Sequence, residues 1–151
     1  MDILEYMSNK KYEQLTMIAD PGVGLKAVIA IHDTTLGPSC GGTRIWPYES
    51  EAAAIEDALR LAKAMSYKSA VADLPLGGGK AVIIADSHTQ KTEAMLRSFG
   101  RFVETLSGRY LTTTDVGSTG RDLEYIRQET KHVVGLPTTM GGSGDTSVMT
   151  G

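Results

Sequence analysis

Strand and helix periods alternate along this chain, and that alternation limits the fold more than any other feature of it. Leu25 to His32 (LKAVIAIH) is a near-continuous, largely β-branched apolar run. It predicts a central strand covered on both faces. Ser50 is an N-cap residue with Glu51 in the first turn behind it, and Ile55, Ala58, Leu59, Ala62 and Met65 then recur at helical spacing. They predict a helix that lays an apolar stripe on the sheet and ends just before Lys68. Leu15 to Ala19 reads as a short strand after a polar start, and Ser69 to Leu74 and Ala81 to Ala85 read as strands on either side of a tight connection at Gly77-Gly78-Gly79. A helix from about Thr92 to Leu106 turns Met95, Leu96, Phe99, Phe102, Val103 and Leu106 inward and stops at Gly108. Tyr110 to Thr114 is the next strand, Ser118 to about Thr130 a capped helix, and His132 to Leu136 a last short strand. The expected fold is α/β: a three-layer domain with a mixed, largely parallel sheet flanked by helices.

Composition narrows the classes of function. With 41% hydrophobic residues and a net charge of −3, the 151 residues suit one soluble globular domain. The single cysteine, Cys40, excludes an intramolecular disulfide, and no Cys or His falls near another at ligand spacing, so no metal is expected. The start, MDILEYMSNKKYEQ, carries acids where a leader peptide needs positive charge. No apolar run approaches about 20 residues, so a cytoplasmic protein without a membrane span is expected. Without a basic run there is little to attract a nucleic-acid backbone. From Thr138 the chain becomes TTMGGSGDTSVMTG. This divides it into a domain over 1–137 and a linker, or a frayed end, over 138–151.

Three groups carry the chemistry: Ser66-Tyr67-Lys68, Pro75-Leu76-Gly77-Gly78-Gly79-Lys80 and Thr112-Thr113-Thr114-Asp115-Val116-Gly117. Two lysines, an aspartate and a glycine-rich backbone can converge on a small zwitterion. The triple glycine is not a phosphate loop, because Leu74 stands where the Walker pattern needs its first glycine and Ala81 where it needs Ser or Thr. No G-x-G-x-x-G joins a strand to a helix either. Gly77 to Gly79 read equally as a plain turn or as a ligand-approach loop. Lys80 opens the following apolar strand at a sheet edge, where partial desolvation would lower its pKa and make it a usable base. Lys68 fits a solvated helix-end cation as well as an anion ligand. Asp115 is displaced as an N-cap by Ser118 or Thr119, which leaves it for other duty. Arg44 reads as an anion contact or a structural salt bridge, and Met65 as core, pocket or both.

Ile29 to Arg44 (IAIHDTTLGPSCGGTR), Ala58 to Ala70, Leu74 to Ile83 and Gly108 to Gly117 together resemble the N-terminal domain of the leucine, valine, phenylalanine and glutamate dehydrogenases, closest to the leucine and valine enzymes. The resemblance implies a substrate-binding and dimerisation domain, with a Rossmann cofactor domain beyond the linker and absent from this chain. By the same resemblance Lys80 is the catalytic lysine, Lys68 grips the substrate α-carboxylate and Asp115 exchanges protons with the amine. Gly41 and Gly42 leave room for ligand. The implied reaction is NAD-dependent, reversible oxidative deamination: hydride leaves Cα for the nicotinamide, an iminium forms, and Lys80 assists attack by water. The residues that would choose NAD over NADP belong to the second domain.

Glutamate-specific relatives carry a lysine where Cys40 stands, so an acidic side chain would meet no countercharge. Cys40 enlarges the implied pocket and Thr113 narrows it, with Met65 beside them. A branched-chain L-amino acid of the leucine or valine type is expected, with L-phenylalanine as the alternative. The chain alone is expected to be inactive. A second reading is a non-catalytic amino-acid-binding and dimerisation module. In either case Leu15 to Ala19, between Glu13 and Asp20, would be the edge that pairs with a second copy in a homodimer or higher homo-oligomer.

Overall fold

The computed structural model describes residues 2–136, so the stretch 138–151 lies outside the described residues. The elements run α1 (Ile3–Lys10), β1 (Gln14–Asp20), β2 (Leu25–Asp33), β3 (Ser39–Trp46), α2 (Glu51–Val71), β4 (Gly77–Ile84), α3 (Glu93–Thr105), β5 (Tyr110–Thr114) and α4 (Gly120–Arg127). The strands form one sheet in the order β1-β2-β4-β3-β5. β2 is antiparallel to β1 and to β4, whereas β3 is parallel to both β4 and β5. The sheet is therefore mixed, with its parallel pairings gathered in the β4-β3-β5 half.

Alternation along the inner strands sorts side chains into two cores. Ala27, Ile29, Ile31, Ala81 and Ile83 face Leu96, Phe99 and Val103 of α3 and Ile126 of α4. Val28, Ala30 and Val82 face Ala54, Ala58, Leu59 and Ala62 of α2. A strand buried on both faces needs apolar residues at every position, which is why the β2 sequence runs almost unbroken. The result is the expected three layers, although β2 lies next to the edge strand and β4 takes the middle of the sheet.

Several boundaries follow from local chemistry. Ser50 Oγ accepts from Ala53 N at 3.1 Å and starts α2, and Thr92 Oγ1 accepts from Met95 N at 3.1 Å and starts α3. Thr119 and Asp122 form a reciprocal capping box on α4, so Thr119 rather than Ser118 is the cap.

Elsewhere the structure departs from the sequence pattern. α2 continues through Lys68 and Ser69 to Val71, so Ser69 to Leu74 is a helix end and turn, not a strand. The triple glycine is not a connection; it is the first three residues of β4. A Cβ at Gly77 would meet the Asp33 carbonyl oxygen, and one at Gly79 would come within 2.8 Å of the Tyr110 ring. At Gly78 it would strike the backbone of α2. Glycine is required there by close approach inside a sheet, the other setting in which strands use it. α1 and β3 were not anticipated. The expected final strand reduces to a single bridge, Thr112 with Val133. α4 is shorter than its pattern suggested, beginning at Gly120 and ending at Arg127.

Candidate active site

Lys80 is the fourth residue of β4. Alternation places it on the same face as Val82, toward α2, in the middle of the sheet and not at its edge. On β5, Tyr110 faces the α3 side, so Thr113 and the residue after the strand, Asp115, turn toward Lys80. Two pins hold Asp115 there. Its backbone N–H donates to Ser118 Oγ at 2.9 Å, and Ser118 Oγ in turn donates to the Thr43 carbonyl of β3 at 2.7 Å. Gly117 closes the turn at φ +82, with its Cα so near the Ile45 carbonyl that no side chain would fit.

The outcome is an ion pair, Lys80 Nζ to Asp115 Oδ2 at 3.1 Å, with side chains only 5% and 8% exposed. Burial pushes the Lys80 ammonium below its ordinary pKa, and the Asp115 charge pulls partly the other way. Arg44 Nε donates to the same Asp115 Oδ2 at 2.7 Å, and Arg44 Nη1 reaches Asp57 Oδ2 on α2 at 3.2 Å. Tyr48 Oη at 2.5 Å and Arg60 Nη2 at 2.6 Å also donate to Asp57. Burial would raise the Asp57 carboxyl, but these donors outweigh it and hold it below the usual range. A hollow of about 330 Å³ bounded by Arg44, Trp46, Tyr48, Asp57 and Val116 opens beside the cluster.

The sequence-predicted residues fall into place unevenly. Lys80 and Asp115 are brought together as expected. Lys68 is half-buried in the last turn of α2, inside the helix and not beyond it, and Met65 is buried one turn earlier. Cys40 and Thr113 are wholly buried on the Lys80 face, so they lie beneath the surface instead of forming an open wall. Burial pushes the Cys40 thiol up to about 12. Gly41 and Gly42 do not leave space for ligand in this arrangement. A Cβ at Gly41 would overlap the Gly79 carbonyl, and one at Gly42 would come within 2.6 Å of Asp115 Cβ, so their missing side chains let the protein's own backbone and Asp115 close in. Sequence reasoning did not connect Arg44 to Asp115 and missed Asp57 and Tyr48. The period-2 relation of Arg44 to Gly42 and Cys40 would have aimed Arg44 at the site had β3 been recognised.

No G-x-G-x-x-G loop joins a strand to a helix among the described residues. Their one run of three glycines is inside β4, pressed against α2, and offers no backbone to a pyrophosphate. They contain no group of three His, Cys, Asp or Glu side chains able to hold a metal ion, and no helix long and apolar enough to cross a membrane.

Known proteins share this sequence pattern and this fold. Residues 13–132 match the Glu/Leu/Phe/Val dehydrogenase dimerisation domain. Leucine dehydrogenase of Bacillus subtilis (strain 168) is 55% identical over 150 residues, 99% of this chain and 41% of the relative. Phenylalanine dehydrogenase of Bacillus thermotolerans is 53% identical over 148 residues, 98% of this chain and 38% of the relative. The crystal structure of L-tryptophan dehydrogenase from Nostoc punctiforme superposes with a TM-score of 0.83 at 50% identity, covering 87% of this chain and 39% of that one. The chain thus spans about two-fifths of the length of the curated relatives it matches. With four-fifths of its residues inside the matched domain, the chain belongs to the Glu/Leu/Phe/Val dehydrogenase family.

Proposed function

We propose that this chain is the substrate-binding and oligomerisation half of an NAD-dependent dehydrogenase that reversibly deaminates a branched-chain L-amino acid to its 2-oxo acid and ammonia. The observation that carries the reading is the buried Lys80–Asp115 pair, a base and a proton acceptor held 3.1 Å apart on a rigid sheet. Lys68, on the end of α2, holds the substrate carboxylate as a point charge and so orients Cα. Lys80 in its neutral form takes a proton from the attacking water, and Asp115 exchanges protons with the amine. Hydride acceptance is the nicotinamide's chemistry, and the residues that would bind it lie outside those described. Residues 138–151 serve as the crossing to that cofactor domain. β1, with Met17 exposed on it and no strand beside its outer edge among the described residues, pairs with a second copy.

The reading of the chain by itself as an inactive amino-acid-binding and dimerisation module is supported by the lack of a G-x-G-x-x-G strand-to-helix loop in the sequence. Incubating the 151-residue chain, and separately the complete polypeptide with its cofactor domain, with NAD and L-leucine, L-valine or L-phenylalanine separates these readings through the absorbance of reduced nicotinamide. Turnover by the complete polypeptide, highest on leucine or valine and abolished by Lys80→Ala, is the expected result. No turnover on any of the three would refute the dehydrogenase reading. Sustained turnover by the 151-residue chain would refute the placement of the cofactor site.

A further inference from the structure

Lys80 and Arg44 donate to one oxygen of Asp115, Oδ2, at 3.1 and 2.7 Å, and Oδ1 accepts no hydrogen bond from the described residues. Arg44 is itself fixed from behind, because Asp57 accepts from it while also accepting from Tyr48 and Arg60. Tyr48 and Arg60 meet this chain of contacts at its Asp57 end, Arg60 at the surface, and Lys80 meets it at its Asp115 end. A planar guanidinium that bridges two carboxylates has its orientation set by both, which a lysine at the same place would lack. We propose that Arg44 is a positioning residue: clamped by Asp57, it holds Asp115 Oδ2, turns Oδ1 toward the substrate amine, and competes with Lys80 for their shared carboxylate.

This deepens the dehydrogenase reading and rests on it for the identity of the amine. Two cations on one oxygen repel each other, so Arg44 acts with burial to favour neutral Lys80, while Asp115 and Asp57 act against them. The charged groups acting on Lys80 are Asp115 from the end of β5, Arg44 from β3 and Asp57 from α2. Removing Arg44 therefore raises the pH at which Lys80 titrates, and removing the Asp57 charge lowers it.

The test is lysine-selective NMR titration of the 151-residue chain labelled with 13C at Cε, the Lys80 signal being assigned by its loss in Lys80→Ala. Arg44→Gln should move the Lys80 midpoint to higher pH, Arg44→Lys should bring it part of the way back, and Asp57→Asn should move it to lower pH. In the complete polypeptide the rising limb of kcat/KM against pH should follow the same signs. Each unit of upward displacement costs about tenfold in kcat/KM on the acid side and is recovered at alkaline pH. If Arg44→Gln does not fold, the Asp57→Asn and Arg44→Lys shifts carry the test. Unmoved midpoints with lowered thermal stability would overturn the proposal, as would midpoints that move without the pH profile following. Because the NMR arm needs no turnover, a complete polypeptide inactive on every amino acid would count against the dehydrogenase reading alone.

Discussion

Replacing Gly78 with alanine adds one methyl group at the most crowded contact between helix and sheet. The new Cβ would lie 2.2 Å from Ser66 Oγ, 2.3 Å from Ser66 N and 2.4 Å from the Ala62 carbonyl oxygen. To restore even a 3.0 Å approach, α2 must withdraw by at least about 0.6 to 0.8 Å, an overpacking strain that typically costs 1–3 kcal/mol. Two of the three obstacles are helix backbone and cannot rotate aside, so the upper end, about 3 kcal/mol, applies. Alanine also restricts the unfolded chain, which returns about 0.4–1 kcal/mol. The net loss of about 2–3 kcal/mol should lower Tm by roughly 6–10 °C in a domain of this size. Urea and thermal unfolding of the purified chain measure it. Gly120→Ala is the control: nothing lies within 4 Å of a Cβ there, so stability should hold or rise slightly. Ser66→Ala should not rescue Gly78→Ala, because Ser66 N and the Ala62 carbonyl remain. A Gly78→Ala variant within about 0.5 kcal/mol of the parent, or one fully rescued by Ser66→Ala, would refute the claim that helix backbone dictates this glycine.

Two further outcomes follow from buried titratable groups. Cys40 is buried and its thiol is pushed up to about 12, so at pH 8 a disulfide reagent should react with it at least about a hundredfold more slowly in the folded chain than in guanidinium, and equal rates would show that β3 is open to solvent. Burial holds His32 below its ordinary pKa, so the neutral ring is the favoured folded form; this contribution to stability is complete above about pH 6.5 and is lost as pH falls through the lowered folded value. Unfolding midpoints should therefore decline below pH 6.5 in the parent and decline less in His32→Gln, whose amide can still meet Ser66 Oγ, now 2.7 Å from His32 Nδ1. Parallel pH curves for the two proteins would count against that account.

The parts of the fold that were legible in the sequence are those decided within a few residues. Ser50, Thr92 and Thr119 announce helix starts because a cap needs one side chain and a donor three positions on. Tyr110 to Thr114 matched its observed strand because propensity and flanking turns agreed. α1 was missed for the opposite reason: it has no buried residue, and its start rests on Asp2 Oδ1 accepting from Glu5 N at 3.2 Å. Of the site, Lys80 and Asp115 were visible as motifs, while the Arg44–Asp57 and Arg44–Asp115 links join residues 13 and 71 positions apart, and no local pattern encodes them.

β3 and the start of β4 show why the remainder was silent. Strands are recognised by β-branched and aromatic side chains in alternation, which report packing against neighbours more than any preference of the backbone. Gly41 and Gly42 of β3 and Gly77 to Gly79 of β4 face positions already filled by the Gly79, Thr114 and Asp33 carbonyls, Tyr110 and the α2 backbone, so larger side chains are sterically excluded. That same exclusion draws α2 down onto β4 and the Asp115 turn onto β3, and so sets Asp115 between Arg44 and Lys80. The close packing that assembles the charged site is what removes the side chains by which its strands would have been read.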